Sequence, residues 1–153
     1  MATLDFSRTV NAPVETVWEV VADLRGMADY TRFRKIELER EGDPPPNGVG
    51  AIRVLHLVGP PVREEIIAFE PPRRFAYRLL SGAPVKDHVG TVELEPAGKG
   101  TRMSYVLQTT PRVPLVGFGV VALMRNVVDG IAAGIAAESE RRAAANAPAG
   151  AGS

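Results

Sequence analysis

Residues 85–110, VKDHVGTVELEPAGKGTRMSYVLQTT, read as two long strands joined by a tight turn, and this hairpin decides the fold. In the first strand, Val85 to Glu95, Val92 and Leu94 oppose Thr91, Glu93 and Glu95, the period-two pattern of a sheet with one wet face. Carrying that parity backward puts His88 and Gly90 with Val92 and Leu94 on the buried face. In the second strand, Thr101 to Thr110, the polar set Arg102, Ser104 and Gln108 marks the outer face, which places Met103, Tyr105, Leu107 and Thr109 inside. Between the strands Pro96-Ala97-Gly98-Lys99-Gly100 turns the chain, because proline fixes φ and glycine permits positive φ.

The same punctuation runs upstream. Short β-rich stretches at about Phe33 to Arg40, Ala51 to Val58, Val62 to Glu70 and Arg73 to Leu80 are separated by Gly- and Pro-rich clusters such as Gly59-Pro60-Pro61 and Ser81-Gly82-Ala83-Pro84. Phe75, Tyr77 and Leu79 share one face of their strand. In the strand before it, Ile67 and Phe69 are bulkier than Ile66 and Ala68, so parity also carries Glu65 and Arg63 inward. The stretch from Ala51 is apolar on both faces, leaving open whether Arg53 or His56 faces inward.

The alternation of Thr3 to Val10 adds a first strand, with Leu4, Phe6 and Val10 on its buried side. Pro13 then opens a helix bearing Val14, Val17, Trp18, Val21 and Leu24, with Gly26 ending it and a short turn following at Met27 to Tyr30. Downstream, Pro114 to about Ala144 keeps near-helical spacing through Val116, Val120, Leu123, Val127, Ile131 and Ile135. Gly130 and Gly134 make a small-residue face suited to close approach, and Arg125 and Asp129 are spaced for a surface ion pair. Residues 145–153, rich in alanine and glycine, read as a disordered tail behind one domain at 1–144.

The element list is therefore α+β: seven antiparallel strands, two short helices after the first, and a long C-terminal helix. Seven strands about 4.8 Å apart span roughly 30 Å, whereas a helix with its side chains is about 10 to 12 Å across. One helix cannot cover that sheet. The sheet must curl around it, and where it stands off an apolar pocket is expected.

At this point the sequence resembles a family, the Bet v 1-like, START-related helix-grip superfamily with its polyketide cyclase/dehydrase-like and lipid-transport-like members. The resemblance rests on the opening strand with Asn11-Ala12-Pro13-Val14-Glu15-Thr16-Val17-Trp18 and Asp23, on Gly48-Val49-Gly50, on Phe69-Glu70-Pro71-Pro72-Arg73-Arg74-Phe75 with Tyr77, and on Gly98-Lys99-Gly100-Thr101-Arg102-Met103. It implies a hydrophobic ligand cavity between sheet and long helix. It supplies no shared catalytic motif, since its members span carriers, receptors, chaperone activators and cyclases.

Composition narrows the classes further. With 18 basic and 18 acidic residues the formal net charge is zero, so no electrostatic footprint for nucleic acid is present. The lack of cysteine removes disulfides and thiolate chemistry and suits a reducing cytoplasm. MATLDFSRTV lacks the basic start and apolar run of a secretory signal, which makes the cytoplasm the expected location. The most apolar run, Val113 to Met124, stops at Arg125, short of the roughly 20 residues a bilayer span needs.

Among chemically able residues, His88 stands first: an inward imidazole in an apolar pocket suits an acid, base or anchor, while a hydrogen bond to a neighbouring element is the plainer role. Tyr77 and Tyr105 pair apolar area with one polar tip. These three are the catalytic candidates. Expected ligand contacts are Glu65, Ile67, Phe69, Phe75, Tyr77, Leu79, His88, Val92, Met103, Tyr105, Leu107, Met124 and Val127. A metal site from His56, His88 and Glu65 would need ligands from separate strands to converge, so neither metal nor cofactor is expected. The leading reading is binding or transport of a lipid-, isoprenoid- or polyketide-like molecule, with a cyclase/aromatase or dehydratase second and a regulatory interaction module third. Oligomeric state is left open.

Overall fold

The computed structural model describes residues 2–112 and 117–146. Strand β1 (Ala2–Val10) leads into helix α1 (Val14–Ala22) and a single 3-10 turn (Gly26–Asp29). Six strands follow, β2 (Lys35–Arg40), β3 (Ile52–His56), β4 (Val62–Glu70), β5 (Arg74–Ser81), β6 (Val85–Ala97) and β7 (Gly100–Pro111), and then helix α2 (Gly117–Ala145). They form one antiparallel sheet in the order β1-β7-β6-β5-β4-β3-β2. The chain meanders strand by strand except that β1 pairs with β7, and both helices lie on the concave side. Helix α1 ends at Ala22, before the expected Gly26, because Asp23 accepts a hydrogen bond from the Gly26 N–H at 3.0 Å and turns the chain into the 3-10 segment.

Register aligns the concave face into rows. One runs Ile66, Tyr77, Gly90, Leu107, Leu4 from β4 across to β1. The next, Phe69, Phe75, Val92, Tyr105, Phe6, lies towards α1, where Trp18 meets Phe69 edge-on with centroids 5.2 Å apart. Helix α1 and the second half of α2 close that end of the sheet into the core.

The parity of β4 differs from the sequence expectation. Ile66 is fully buried and Glu64 buried, whereas Ile67 is exposed and Glu65 turns to the convex face, where it pairs with Arg40 (2.8 Å) and Arg78 (2.5 Å). A bulge between Ile66 and Ala68 is the cause: the extra residue shifts the alternation, so Ile66 and Phe69 both point inward although three positions apart. In β3 Arg53 faces inward and His56 outward, 3.6 Å from Glu37.

The buried stripe of α2 consists of Val128, Ala132, Ile135, Ala136 and Ser139, smaller residues than the periodicity of Leu123 and Val127 suggests. Small residues are required because a Cβ at Gly134 would lie 2.6 Å from the Tyr30 carbonyl oxygen, while one at Gly130 would meet nothing within 4 Å. Gly134→Val therefore should cost about 1–3 kcal/mol in urea unfolding by overpacking, and Gly130→Ala should be neutral or gain up to about 1 kcal/mol from helix propensity. Arg125 stands over the Phe6 ring at 5.8 Å, where the sequence suggests an ion pair with Asp129. By length and composition alone Gly119–Ala145 is long and apolar enough to cross a bilayer, and in this fold it is the helix gripped by the sheet. The tail beyond 146 and the helix start expected at Pro114 and Val116 lie outside the described residues.

Candidate functional site

The sheet stands off from α2 at the end opposite α1. There a cavity of about 320 Å³ opens between β3–β7 and the first half of α2. Its wall is apolar, built from Phe33, Leu55, Leu57, Val62, Leu79, Leu107, Met124, Val127, Val128 and Ile131, with Val58 and Leu123 at the rim. Three lining side chains are polar: Glu64, Tyr77 and His88.

Glu64 and Arg53 face each other across the β3–β4 ladder. The guanidinium of Arg53 donates through Nε to the Oε2 atom of Glu64 at 2.8 Å, its Nη2 lies 2.8 Å from the same oxygen in an ion pair, and its Nη1 is buried without a partner. The guanidinium carbon lies 4.8 Å from the Tyr77 ring centroid, so the cation sits against Tyr77 and outside the cavity lining. Burial pushes the Glu64 carboxyl up against the pull of Arg53. Burial also opposes the charge on Arg53, but the Glu64 carboxylate and the Tyr77 and Tyr105 hydroxyls together outweigh it and hold the guanidinium above its ordinary range.

Tyr77 fits because its neighbour in the row has no side chain: a Cβ at Gly90 would collide with the Tyr77 Cζ. Its hydroxyl is hydrogen-bonded to that of Tyr105, with the rings T-shaped at 6.4 Å. Burial pushes the Tyr105 phenol up to about 12 and raises Tyr77 well above the usual range, so both stay protonated at neutral pH.

His88 owes its aim to a bulge between Lys86 and Val89, with Asp87 held at φ 52, a left-handed conformation that aspartate tolerates better than most residues. The extra residue lets Val85 and His88 both face inward. His88 Nδ1 lies 3.2 Å from the Thr109 hydroxyl, which is 3.9 Å from the Met124 sulfur. Burial lowers the imidazole pKa to about 4, leaving it neutral at pH 7.

The expected contact residues divide into three groups. Tyr77, Leu79, His88, Leu107, Met124 and Val127 line the cavity. Phe69, Phe75, Val92, Met103 and Tyr105 point inward but are packed into the core under α1, with Met103 and Tyr105 bordering a separate cleft beside Phe6 and Arg8. Glu65 and Ile67 are on the convex face, moved there by the β4 bulge. His56 and Glu65 project from the convex side and His88 from the concave side, so these three do not converge. Sequence reasoning missed Glu64, hidden by the bulge, and the rim formed by Phe33, Leu57, Val58 and the turn Gly82-Ala83-Pro84. The two Gly- and Pro-rich clusters at 59–61 and 81–84 were the available signal, since turns flanking an uncovered sheet end frame its opening.

Solved structures share this architecture. TTHA0849 from Thermus thermophilus is 24% identical over 95% of this chain and 100% of its own, with a TM-score of 0.72. A START superfamily protein from Mycobacterium smegmatis is 12% identical over 95% and 99%, with a TM-score of 0.72. The di-domain ARO/CYC StfQ of the steffimycin biosynthetic pathway is 14% identical over 93% of this chain and 51% of its own, with a TM-score of 0.75. No curated protein matches the chain. The fold is thus the helix grip of START and Bet v 1-like proteins. The sequence model for polyketide cyclase / dehydrase and lipid transport proteins matches residues 1–143, and the chain belongs to that family.

Proposed function

We propose that this protein binds a hydrophobic small molecule, lipid-, isoprenoid- or polyketide-like, in the cavity between the sheet and α2, and does so in the cytoplasm. One observation carries the reading: an apolar hollow of about 320 Å³ with three polar side chains on its wall, the composition of a ligand site. Met124, Leu107, Leu79 and Ile131 supply the apolar contact, and Tyr77 and His88 orient the molecule. Native mass spectrometry of gently purified protein, with thermal shifts across a lipid and polyketide panel, tests it. A bound mass or a shift of several degrees is expected; an empty protein unmoved by every compound overturns it.

A second reading, cyclase or dehydratase chemistry on the same ligand, is favoured by a neutral imidazole and a phenol on one wall, the His88 and Tyr77 ring centroids being 6.2 Å apart. A neutral imidazole can take a proton from an activated carbon and a phenol can hold the oxygen alongside. His88→Gln separates the readings. If it abolishes turnover of a polyketide substrate while retaining binding, the chain is an enzyme; if wild type and variant turn over no substrate and bind alike, it is a carrier.

A further inference from the structure

If the cavity is a binding site, as proposed above, its polar wall restricts what can occupy it. The Thr109 hydroxyl has the Met124 sulfur as its acceptor, and thioether sulfur can only accept. That donation leaves the Thr109 oxygen free to accept, and at 3.2 Å from His88 Nδ1 it suits an Nδ1–H on the ring. A neutral imidazole with its proton on Nδ1 carries a lone pair on Nε2. Burial holds the ring neutral at physiological pH. Glu64 tells the same way: Arg53 directs both of its contacts to Oε2, and Oε1 has no hydrogen-bond partner among the described residues. No lysine or arginine lines the cavity among those residues. The wall therefore offers acceptors and a phenol but no cation. A carboxylate entering it would lose its hydration without gaining a counter-charge, beside Glu64.

We infer that the cavity selects uncharged molecules carrying a hydroxyl, an alcohol, phenol or enol that donates to His88 Nε2, over the corresponding carboxylates and methyl ethers. Thr109 is then a positioning residue, acting through the tautomer of His88.

The test uses three probes of one shape, 2-naphthol, 2-methoxynaphthalene and 2-naphthoate, titrated calorimetrically into wild type, His88→Phe and Thr109→Val at pH 7, together with ¹⁵N NMR of the His88 ring in the free protein. Wild type should bind the naphthol roughly tenfold more tightly than the ether, the step lost when a buried acceptor goes unpaired, and should not bind the naphthoate measurably. The preference should vanish in His88→Phe and shrink in Thr109→Val. The NMR spectrum should show a protonated Nδ1 and a bare Nε2. The opposite tautomer overturns the inference without reference to any ligand. Equal binding of naphthol and ether, or tightest binding of the naphthoate, overturns the selectivity and leaves the binding reading standing. Failure of all three to bind overturns the inference, while the binding reading stands or falls on the lipid and polyketide panel.

Discussion

Glu64→Ala should destabilise the protein by about 3–5 kcal/mol in urea unfolding at pH 7, whereas Glu65→Ala, one position on, should cost about 1 kcal/mol or less. The contrast follows from the faces the two carboxylates occupy. Arg53 and Glu64 are both buried, with side-chain exposures of 4% and 9%. Removing Glu64 leaves a guanidinium under the Tyr77 ring with its only carboxylate among the described residues gone and Nη1 already unpartnered. Glu65 holds Arg40 and Arg78 on the convex face, where both arginines are more than half exposed and water takes over their solvation. Replacing the buried pair together, Arg53→Met with Glu64→Leu, should restore most of the loss, because two apolar side chains avoid the desolvation that the pair suffers. Equal losses at positions 64 and 65 would contradict the assignment of faces in β4.

Stability should also fall on mild acidification, and His88 should be the reason. Its imidazole has a pKa of about 4 when folded and about 6.5 in the unfolded chain. Above pH 6.5 both states are neutral there and His88 contributes nothing to the pH dependence. As pH falls through 6.5 the unfolded chain takes up the proton and the fold does not, so stability declines until about pH 4. The full difference is about 3 kcal/mol, of which about 2 kcal/mol is lost between pH 7 and pH 5. Glu138, held down at about 2 by hydrogen bonds from Arg141 and Arg142, acts in another window: its contribution is present above the ordinary carboxylate pKa and is lost only as pH falls towards 2. Urea unfolding of wild type and His88→Gln at pH 7 and pH 5 isolates the histidine. The wild type should lose about 2 kcal/mol more than the variant. Parallel losses would mean that His88 is solvated and does not sit in the apolar wall.

The hairpin of β6 and β7 was legible because each strand has one wet face, and Glu93, Glu95, Arg102 and Gln108 mark it. The parity carried from Leu94 back to His88 holds because β6 pairs without a shift from Ala97 back to Val89, the bulge falling between Lys86 and Val89. In β4 the bulge falls inside the strand, between Ile66 and Ala68, with no glycine to announce it, and alternation fails halfway. Strand β3 was ambiguous for a different reason. Ile52 and Val54 are buried on the convex side, where register sets Arg40 and Glu65 beside Ile52, and Glu37 and Arg63 beside Val54. The alkyl stems of these long side chains cover an apolar pair that composition alone cannot assign to a face. The cavity's position escaped the sequence because it depends on which end of the sheet α1 fills. Trp18 against Phe69 and Gly134 against Tyr30 settle that, and both contacts join residues distant in the chain.

Backbone amide NMR shifts during titration with 2-naphthol show whether a ligand enters the hollow. Perturbations should centre on Leu55, Glu64, Tyr77, His88, Leu107, Met124 and Ile131, residues around the hollow. Shifts centred instead on the cleft beside Phe6, Arg8 and Asp129, with the hollow unchanged, would contradict binding there.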